Sequence, residues 1–353
     1  MASVDRVCPR SALLALLVLL LAFAAAGCGR QSADEAARQA GTDTVAADTG
    51  AFDLGDGEEE QGGTGAFGDA LSGRIRADGS STVGPFLSLA AERFGRDNPD
   101  VKVTVGVSGT GGGFERFCRG ETDLSTASRP IKDEEEAACR KKGVEYAELA
   151  VSNDALSVIV NPANDWVDCL TVEQLRRIWE PDSEIDAWNG VEPRYPHVDL
   201  KLFGAGTDSG TFDYFTAEIV GEEGKSRADY SATEDDNVTV RGVAGEKGAL
   251  GYLGFSYFEQ NQGKLKAVEI DGGNGCVAPT VETVQGGSYT PLGRPLFVYV
   301  KKSVLERLEV ETFLQYIVEN ETALARGALF VPLTEDQLQE TQTALEQALS
   351  GIG

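Results

Sequence analysis

Histidine is nearly absent from this chain: His197, which follows Pro196, is the only one in 353 residues. No two of the six cysteines stand in CxxC spacing. Without histidine clusters or paired thiols, a zinc centre has no ligand set, and no metal or cofactor is expected. A serine nucleophile needs a base beside it. Thr207-Asp208-Ser209-Gly210 looks like such a turn, but His197 lies earlier, beside Pro193 and Pro196, as a surface turn residue would. Hydrolysis is therefore set aside and no enzyme is expected. Positive charge is also scarce, with 31 Lys and Arg against 57 Asp and Glu and a net charge of −26. That balance argues against nucleic acid and anionic membrane surfaces as partners. Any anion site must then be local, built from dipoles and one or two cations. Nucleotide motifs are missing too. Ser108-Gly109-Thr110-Gly111-Gly112-Gly113 has no GxGxxG register, and no Gly-Lys-Ser/Thr follows it. No internal repeat points to a solenoid.

Long apolar runs are lacking as well. Residues 12–26 are apolar but too short for a comfortable membrane span. Arg6 and Arg10 precede them as a basic leader, and Ala25-Ala26-Gly27-Cys28 closes them. Small residues before a cysteine resemble the lipobox of bacterial lipoproteins. Residues 1–27 are expected to be a signal peptide and Cys28 a lipidated N-terminus at the outer face of the cytoplasmic membrane. Residues 28–72 have few bulky apolar side chains and include Gly57-Glu58-Glu59-Glu60. Nothing there offsets the entropy of ordering, so an acidic, disordered tether is expected. Cys8 falls in the signal, leaving Cys118, Cys139, Cys169 and Cys276, an even number that suggests disulfides in an exported chain. Four cysteines allow three pairings, and proximity favours Cys118–Cys139 with Cys169–Cys276. Each bridge would contribute about 3–5 kcal/mol in the chain-entropy model.

What is present is one construction repeated three times: strand, small polar turn, helix start. Gly73-Arg74-Ile75-Arg76-Ala77 enters Asp78-Gly79-Ser80-Ser81-Thr82-Val83-Gly84, and Pro85 opens a helix over 86–94. The alternating run 101–107 enters the glycine turn at Ser108 and a helix over 114–119. The run 198–203 enters Gly204-Ala205-Gly206-Thr207-Asp208-Ser209-Gly210-Thr211, followed by apolar residues at helical spacing. Glycines let the backbone approach a ligand, and the free N–H groups of a helix start suit an anion. Asp123-Leu124-Ser125-Thr126-Ala127-Ser128-Arg129-Pro130 reads as a strand ending in an arginine. Its planar fork matches a tetrahedral oxyanion, or alternatively pairs with the Glu134-Glu135-Glu136 run. Buried strands at 155–161 and 248–255, strands at 265–270 and 295–300, and helices at 133–142, 171–179, 310–319 and 335–349 complete an α/β pattern with largely parallel sheets.

Taken in order, Asp78-Gly-Ser-Ser-Thr-Val-Gly-Pro, Ser108-Gly-Thr-Gly-Gly-Gly-Phe, Asp123-Leu-Ser-Thr-Ala-Ser-Arg-Pro-Ile, Gly206-Thr-Asp-Ser-Gly-Thr-Phe-Asp-Tyr-Phe and Gly248-Ala-Leu-Gly-Tyr-Leu-Gly-Phe resemble the periplasmic phosphate-binding proteins of ABC importers, the PstS family. The resemblance covers residues 73–349. It implies a type II periplasmic-binding fold, two α/β lobes joined by crossing strands, with the anion enclosed between them. Lobe I would hold 73–151 and 259–353, and lobe II 154–258. It further implies a monomer that captures inorganic phosphate and delivers it to an ABC permease. The same fold could instead take sulfate, molybdate or a phosphorylated molecule, or serve as an anion-sensing receptor.

By position, the resemblance implies that Ser81 donates its hydroxyl and Thr82 its backbone N–H. Thr110, with Ser108, would serve from the second turn, and Ser209, Gly210 and Thr211 from the third. Two departures stand out. Ala205 replaces an arginine before the third turn, and Ser128 replaces an aspartate. Arg129 is the expected substitute cation. Because phosphate carries a proton at neutral pH, a selective site can offer an ionised carboxylate that repels sulfate. Asp208 is the first candidate for that acceptor, then Asp78 or Asp236.

Overall fold

The computed structural model describes residues 71–351. The expected signal peptide, Cys28 and the tether as far as residue 70 lie outside the described residues. In chain order come β1 (Gly73–Gly79), α1 (Gly84–Asp97), β2 (Val101–Val107), α2 (Gly109–Cys118), β3 (Leu124–Ala127), α3 (Asp133–Lys141) and the long β4 (Tyr146–Val160). The middle of the chain forms β5 (Cys169–Thr171), α4 (Val172–Trp179), α5 (Trp188–Val191), β6 (Lys201–Ala205), α6 (Gly210–Phe215), β7 (Ser231–Thr233), α7 (Asp236–Gly245), β8 (Ala249–Gly254) and α8 (Phe255–Gln260). Then follow β9 (Lys266–Ala267), β10 (Glu269–Asp271), β11 (Cys276–Val277), α9 (Val281–Gln285), β12 (Gly293–Lys301), α10 (Leu308–Glu319), α11 (Glu321–Gly327) and α12 (Glu335–Ser350).

Local sequence explains the leading elements. Pro85 sits in the first turn of α1, where its missing N–H costs nothing. Phe86, Leu87, Ala90 and Phe94 recur along the face of α1 that is buried. Each phenylalanine so placed contributes about 1.5–3 kcal/mol of apolar burial. Thr171 caps α4 by accepting from the Gln174 N–H, and Gln174 returns the bond to the Thr171 N–H. The glycine run after Ser108 lies inside α2 rather than before it, so that helix begins five residues earlier than its apolar spacing indicates.

The main sheet has the order β2-β1-β3-β12-β4-β8-β6-β7, with β9 on the end of β4. The expectation of largely parallel sheets needs correction. β1 is parallel to β2 and β3, and β6 to β7 and β8, but β12 runs antiparallel to both β3 and β4, and β4 to β8. β4 is the spine that joins two cores. Its residues 146–155 pair with β12, and Leu156–Val160 pairs with β8. On one side Ile75, Phe86, Phe94, Leu124, Val298 and Phe313 belong to one buried cluster. On the other, Ile159, Trp179, Trp188, Phe215, Tyr252 and Ile270 belong to a second.

The boundary expected at residue 259 is also displaced. Residues 259–292 stay with the second core, where Leu265, Val268, Ile270, Val284, Tyr289 and Leu292 are buried. β10 pairs with β5, and Cys276 of β11 is bonded to Cys169 of β5. The chain rejoins the first core only at Leu292–Gly293, beside β4, where the Leu156 N–H donates to the Leu292 carbonyl at 2.9 Å. Apolar burial accounts for this: these side chains belong to the second buried cluster. The other disulfide joins Cys118 of α2 to Cys139 of α3. Closing loops of 21 and 107 residues removes unfolded-state entropy worth roughly 3 and 5 kcal/mol. No helix among the described residues is long and apolar enough to cross a membrane.

Candidate anion-binding site

The three turns converge. In the first, the Ser80 N–H donates to Thr126 O and the Gly84 N–H to Ser80 O, which seats the turn on β3. Gly79 holds φ at +149°, and a Cβ there would strike the Thr126 carbonyl, so only glycine fits. The second turn is tied to the first because the Ser108 N–H donates to Gly79 O. The third is closed by the Ser209 N–H to Gly206 O, and Ser209 caps α6 by accepting from the Thr211 N–H at 3.1 Å. α6 continues directly into a π-helical turn, Thr216–Val220. Gly210 presses against the first turn: a Cβ at that position would lie 3.0 Å from Thr82 Oγ1 and 3.2 Å from Ser81 Oγ.

Two cavities share Ser81, Thr82 and Gly210 in their walls. The larger, about 560 Å³, is also lined by Ser108, Thr110, Ser128, Arg129, Tyr214 and Arg294, with Asp213, Glu218 and Glu223. The smaller, about 200 Å³, adds Ser209, Thr211, Asp154, Asp236 and Tyr257. Of the residues singled out from the sequence for the anion site, every one except Asp208 and Asp78 lines one of these spaces. Asp208 is exposed, lines neither, and its N–H points to Glu234. Its place just before the Ser209 cap turns it outward. Asp78 is also spent as an acceptor, since Ser108 Oγ and Arg116 both donate to it at 2.6 Å. Thr110 Oγ1 and Ser128 Oγ lie 3.2 Å apart, linking the second turn to the end of β3.

Arg129 lines the larger cavity with its fork already occupied. Nη1 and Nη2 donate to Glu135 at 2.8 and 2.7 Å, and Nη1 also reaches Pro130 O. Hydrogen bonding to Glu135 holds the guanidinium above its ordinary value against the effect of burial. Burial pushes Glu135 up, but the Arg129 fork and the Lys132 N–H outweigh it and hold the carboxyl low. A second arginine, Arg294, which the sequence reading missed, lines the same cavity.

Arg294 stands near the start of β12, where that strand meets β4. Nη2 donates to Thr82 Oγ1 at 2.9 Å and to Asp154 at 3.2 Å, and the guanidinium lies 3.3 Å from the centre of the Tyr214 ring. Tyr214 is fixed in turn by its hydroxyl donating to Pro291 O at 2.8 Å. Arg294 therefore touches the first turn, the spine strand and α6 together. Its one sequence signal is an arginine beside a proline at the edge of an apolar strand, the pattern that Arg129-Pro130 also shows. Asp154 is buried; burial pushes its carboxyl up and Arg294 opposes the shift. Asp236, the first residue of α7, is pushed up to about 6 by burial and then by Asp235 and Glu234. Burial likewise raises Asp213, helped by Glu223 and opposed by Arg294, and raises Glu218, again opposed by Arg294. Cys169, Glu269 and Cys276 also lie close together, but both sulfurs are bonded to each other and cannot ligate a metal as thiolates.

A serine- and threonine-lined space with Arg129, Lys132 and Arg294 in its wall beside several carboxylates is suited to holding a small oxyanion. His197 is exposed and bonds Asn189 at 2.9 Å. The PBP superfamily domain model matches residues 36–321. The chain is 47% identical over 262 residues to Protein SphX of Synechococcus elongatus, covering 73% of this chain and 77% of that one. It is 39% identical over 294 residues to the phosphate-binding protein PstS of Staphylococcus saprophyticus, covering 82% and 90%. Among solved structures, a possible phosphate binding protein from Planctomyces limnophilus superposes with a TM-score of 0.76 at 44% identity, covering 79% of this chain and 99% of that one.

Proposed function

Since the chain belongs to the PBP superfamily, alongside the PstS phosphate-binding proteins, we propose that it captures inorganic phosphate and passes it to an ABC permease. The observation that carries this reading is Arg294, buried between Thr82 and Asp154 where the first and third turns meet. Hydroxyls of Ser81, Thr82, Ser209 and Thr211 and the N–H of Gly210 are the donors to phosphate oxygens, and Arg294 supplies the charge. Thr110, Ser108 and Ser128 complete the wall of the larger cavity. Arg129 lines that cavity with its fork held by Glu135. No chemistry is performed on the ligand, and the protein works as a monomer. Cleavage before Cys28 and its lipidation would hold the protein at the outer face of the membrane on an acidic tether, beside the permease.

The two cores and the β4 spine are the lobes and the hinge of this reading. Closing them brings Gly210 onto Ser81 and Thr82 and excludes water, which strengthens each contact with the anion. Calorimetric titration of the full chain with phosphate, in competition with sulfate and molybdate, tests the proposal. Tight phosphate binding that sulfate does not displace is expected. Preference for sulfate or molybdate would keep the fold and overturn the ligand.

A further inference from the structure

Besides β4 and β12, a third segment runs between the two cores. After α11, Ala328 and Phe330 pack against the first core, Val331 is buried in the second, and Leu338 of α12 lies against the first again. Neighbours in an extended strand point to opposite faces, which lets Phe330 and Val331 serve different cores. Val331 bridges to Asn153 of the β4 spine: each N–H donates to the other's carbonyl, at 2.8 and 2.9 Å. Glu321, the buried first residue of α11, fixes the far end by accepting from the Leu333 N–H at 2.8 Å. Residues 328–330 of this strap line the smaller anion cavity. Residues 329–333 line a groove of about 680 Å³, whose other walls are α8 and α9 of the second core and α11 of the first.

Two glutamines fasten the strap to both cores. Gln285, the last residue of α9, donates from Nε2 to Pro332 O at 2.9 Å, and its own carbonyl accepts from Nε2 of Gln337 in α12 at 3.2 Å. Gln337 has only one orientation that works. Its Oε1 accepts from the Thr334 N–H at 3.0 Å and from Asn153 Nδ2 at 3.1 Å, so its amide NH₂ is the group that faces Gln285. α9 belongs to the second core and α12 to the first, so these bonds join the two bodies that rotate against each other. They are made here while Gly210 of the third turn rests on Ser81 and Thr82 of the first, which is the closed arrangement. We propose that Gln285 and Gln337 form an interlobe clasp, made on closure and broken on opening, that sets how long phosphate is held. Neither residue lines an anion cavity, so both are positioning residues. The inference rests on the phosphate reading above and deepens it, because it places control of affinity outside the ligand's own contacts. A contact present only in the closed form stabilises that form alone, and the effect falls on release of the ligand rather than on its capture.

Two variants of the full chain test the clasp. Gln337→Glu keeps the acceptor for Thr334 and Asn153 but sets an oxygen, in place of the donor, against Gln285 O. Gln285→Ala removes the donor to Pro332 O and adds no charge. Release is followed by loading each protein with radiolabelled phosphate and chasing with an excess of unlabelled phosphate. Each variant should release phosphate about three- to tenfold faster, with association nearly unchanged and Kd raised by the same factor. The urea midpoint of the phosphate-free chain should stay where it is, because the clasp is open there. Unchanged release in either folded variant overturns the inference and leaves the phosphate reading standing. A phosphate-free midpoint that falls in step with affinity overturns it too, since the glutamines would then be fixed packing in both forms. A wild-type chain that binds no phosphate overturns both readings.

Discussion

Arg294→Gln removes the one cation that touches both the first turn and Asp154, and its consequences can be worked out in two parts. The affinity part comes from losing a charge-assisted fork in a site where the Arg294 and Asp154 side chains are only 15% and 11% exposed. Truncating one member of such a buried pair costs about 2–5 kcal/mol. At 1.4 kcal/mol for each tenfold change, phosphate Kd should rise roughly 30- to several-thousand-fold. The stability part comes from leaving Asp154 without its counter-ion, a change that costs about 3–5 kcal/mol for a fully buried charge. Asp154 has an escape, because burial already raises its carboxyl and it can take a proton instead. The lower end, about 3 kcal/mol, is therefore expected by urea denaturation. Adding Asp154→Asn should recover most of the stability without recovering affinity. Arg129→Gln is the control. Its fork serves Glu135 rather than the cavity, so phosphate Kd should move less than about tenfold. A larger loss from Arg129→Gln than from Arg294→Gln would refute the assignment of the cation.

Gly210→Ala should leave the fold intact and weaken phosphate binding by at least about tenfold. The new methyl would stand 3.0 Å from Thr82 Oγ1 and 3.3 Å from the Thr82 nitrogen, where the turns close, and unchanged affinity would mean that the anion lies elsewhere. Asp236 also makes a pH prediction for the ligand-free protein. Its folded-state value near 6 lies above the ordinary 3.8, so the folded state binds the proton more tightly. Stability should then fall as pH rises through that interval and stay flat above it. Asp236→Asn removes the penalty and should stabilise the ligand-free chain by about 1–3 kcal/mol near pH 8 and by almost nothing near pH 4. Equal gains at both values, measured by urea denaturation, would mean that charge burial is not the cause.

The sequence by itself determined the elements whose causes are local. Pro85 and the spacing of Phe86, Leu87, Ala90 and Phe94 specify α1, Thr171 with Gln174 specifies the start of α4, and Ser209 specifies the start of α6. The three polar turns, and with them most of the wall around Ser81, Thr82, Thr110 and Gly210, are legible for the same reason. Each is a short pattern of glycine, serine and threonine between an apolar strand and a helix.

Tertiary structure alone decided which charges meet. Arg294 lies 212 residues from Thr82 and 140 from Asp154, and the three come together only because β12 registers against β4 beside the first turn. Locally only Pro295 beside it marks Arg294, a pattern that Arg129-Pro130 shares. Arg129 shows the converse. It has the residue type and position expected of a ligand, yet Glu135, six residues later on α3, reaches its fork first. The path of residues 259–292 followed the same logic, since apolar burial and the Cys169–Cys276 bond hold them to the second core. Local patterns choose helix, strand and turn because their hydrogen bonds close within a few residues. Pairing of buried charges is a competition among partners far apart in sequence, and it is resolved only when the strands have taken their register.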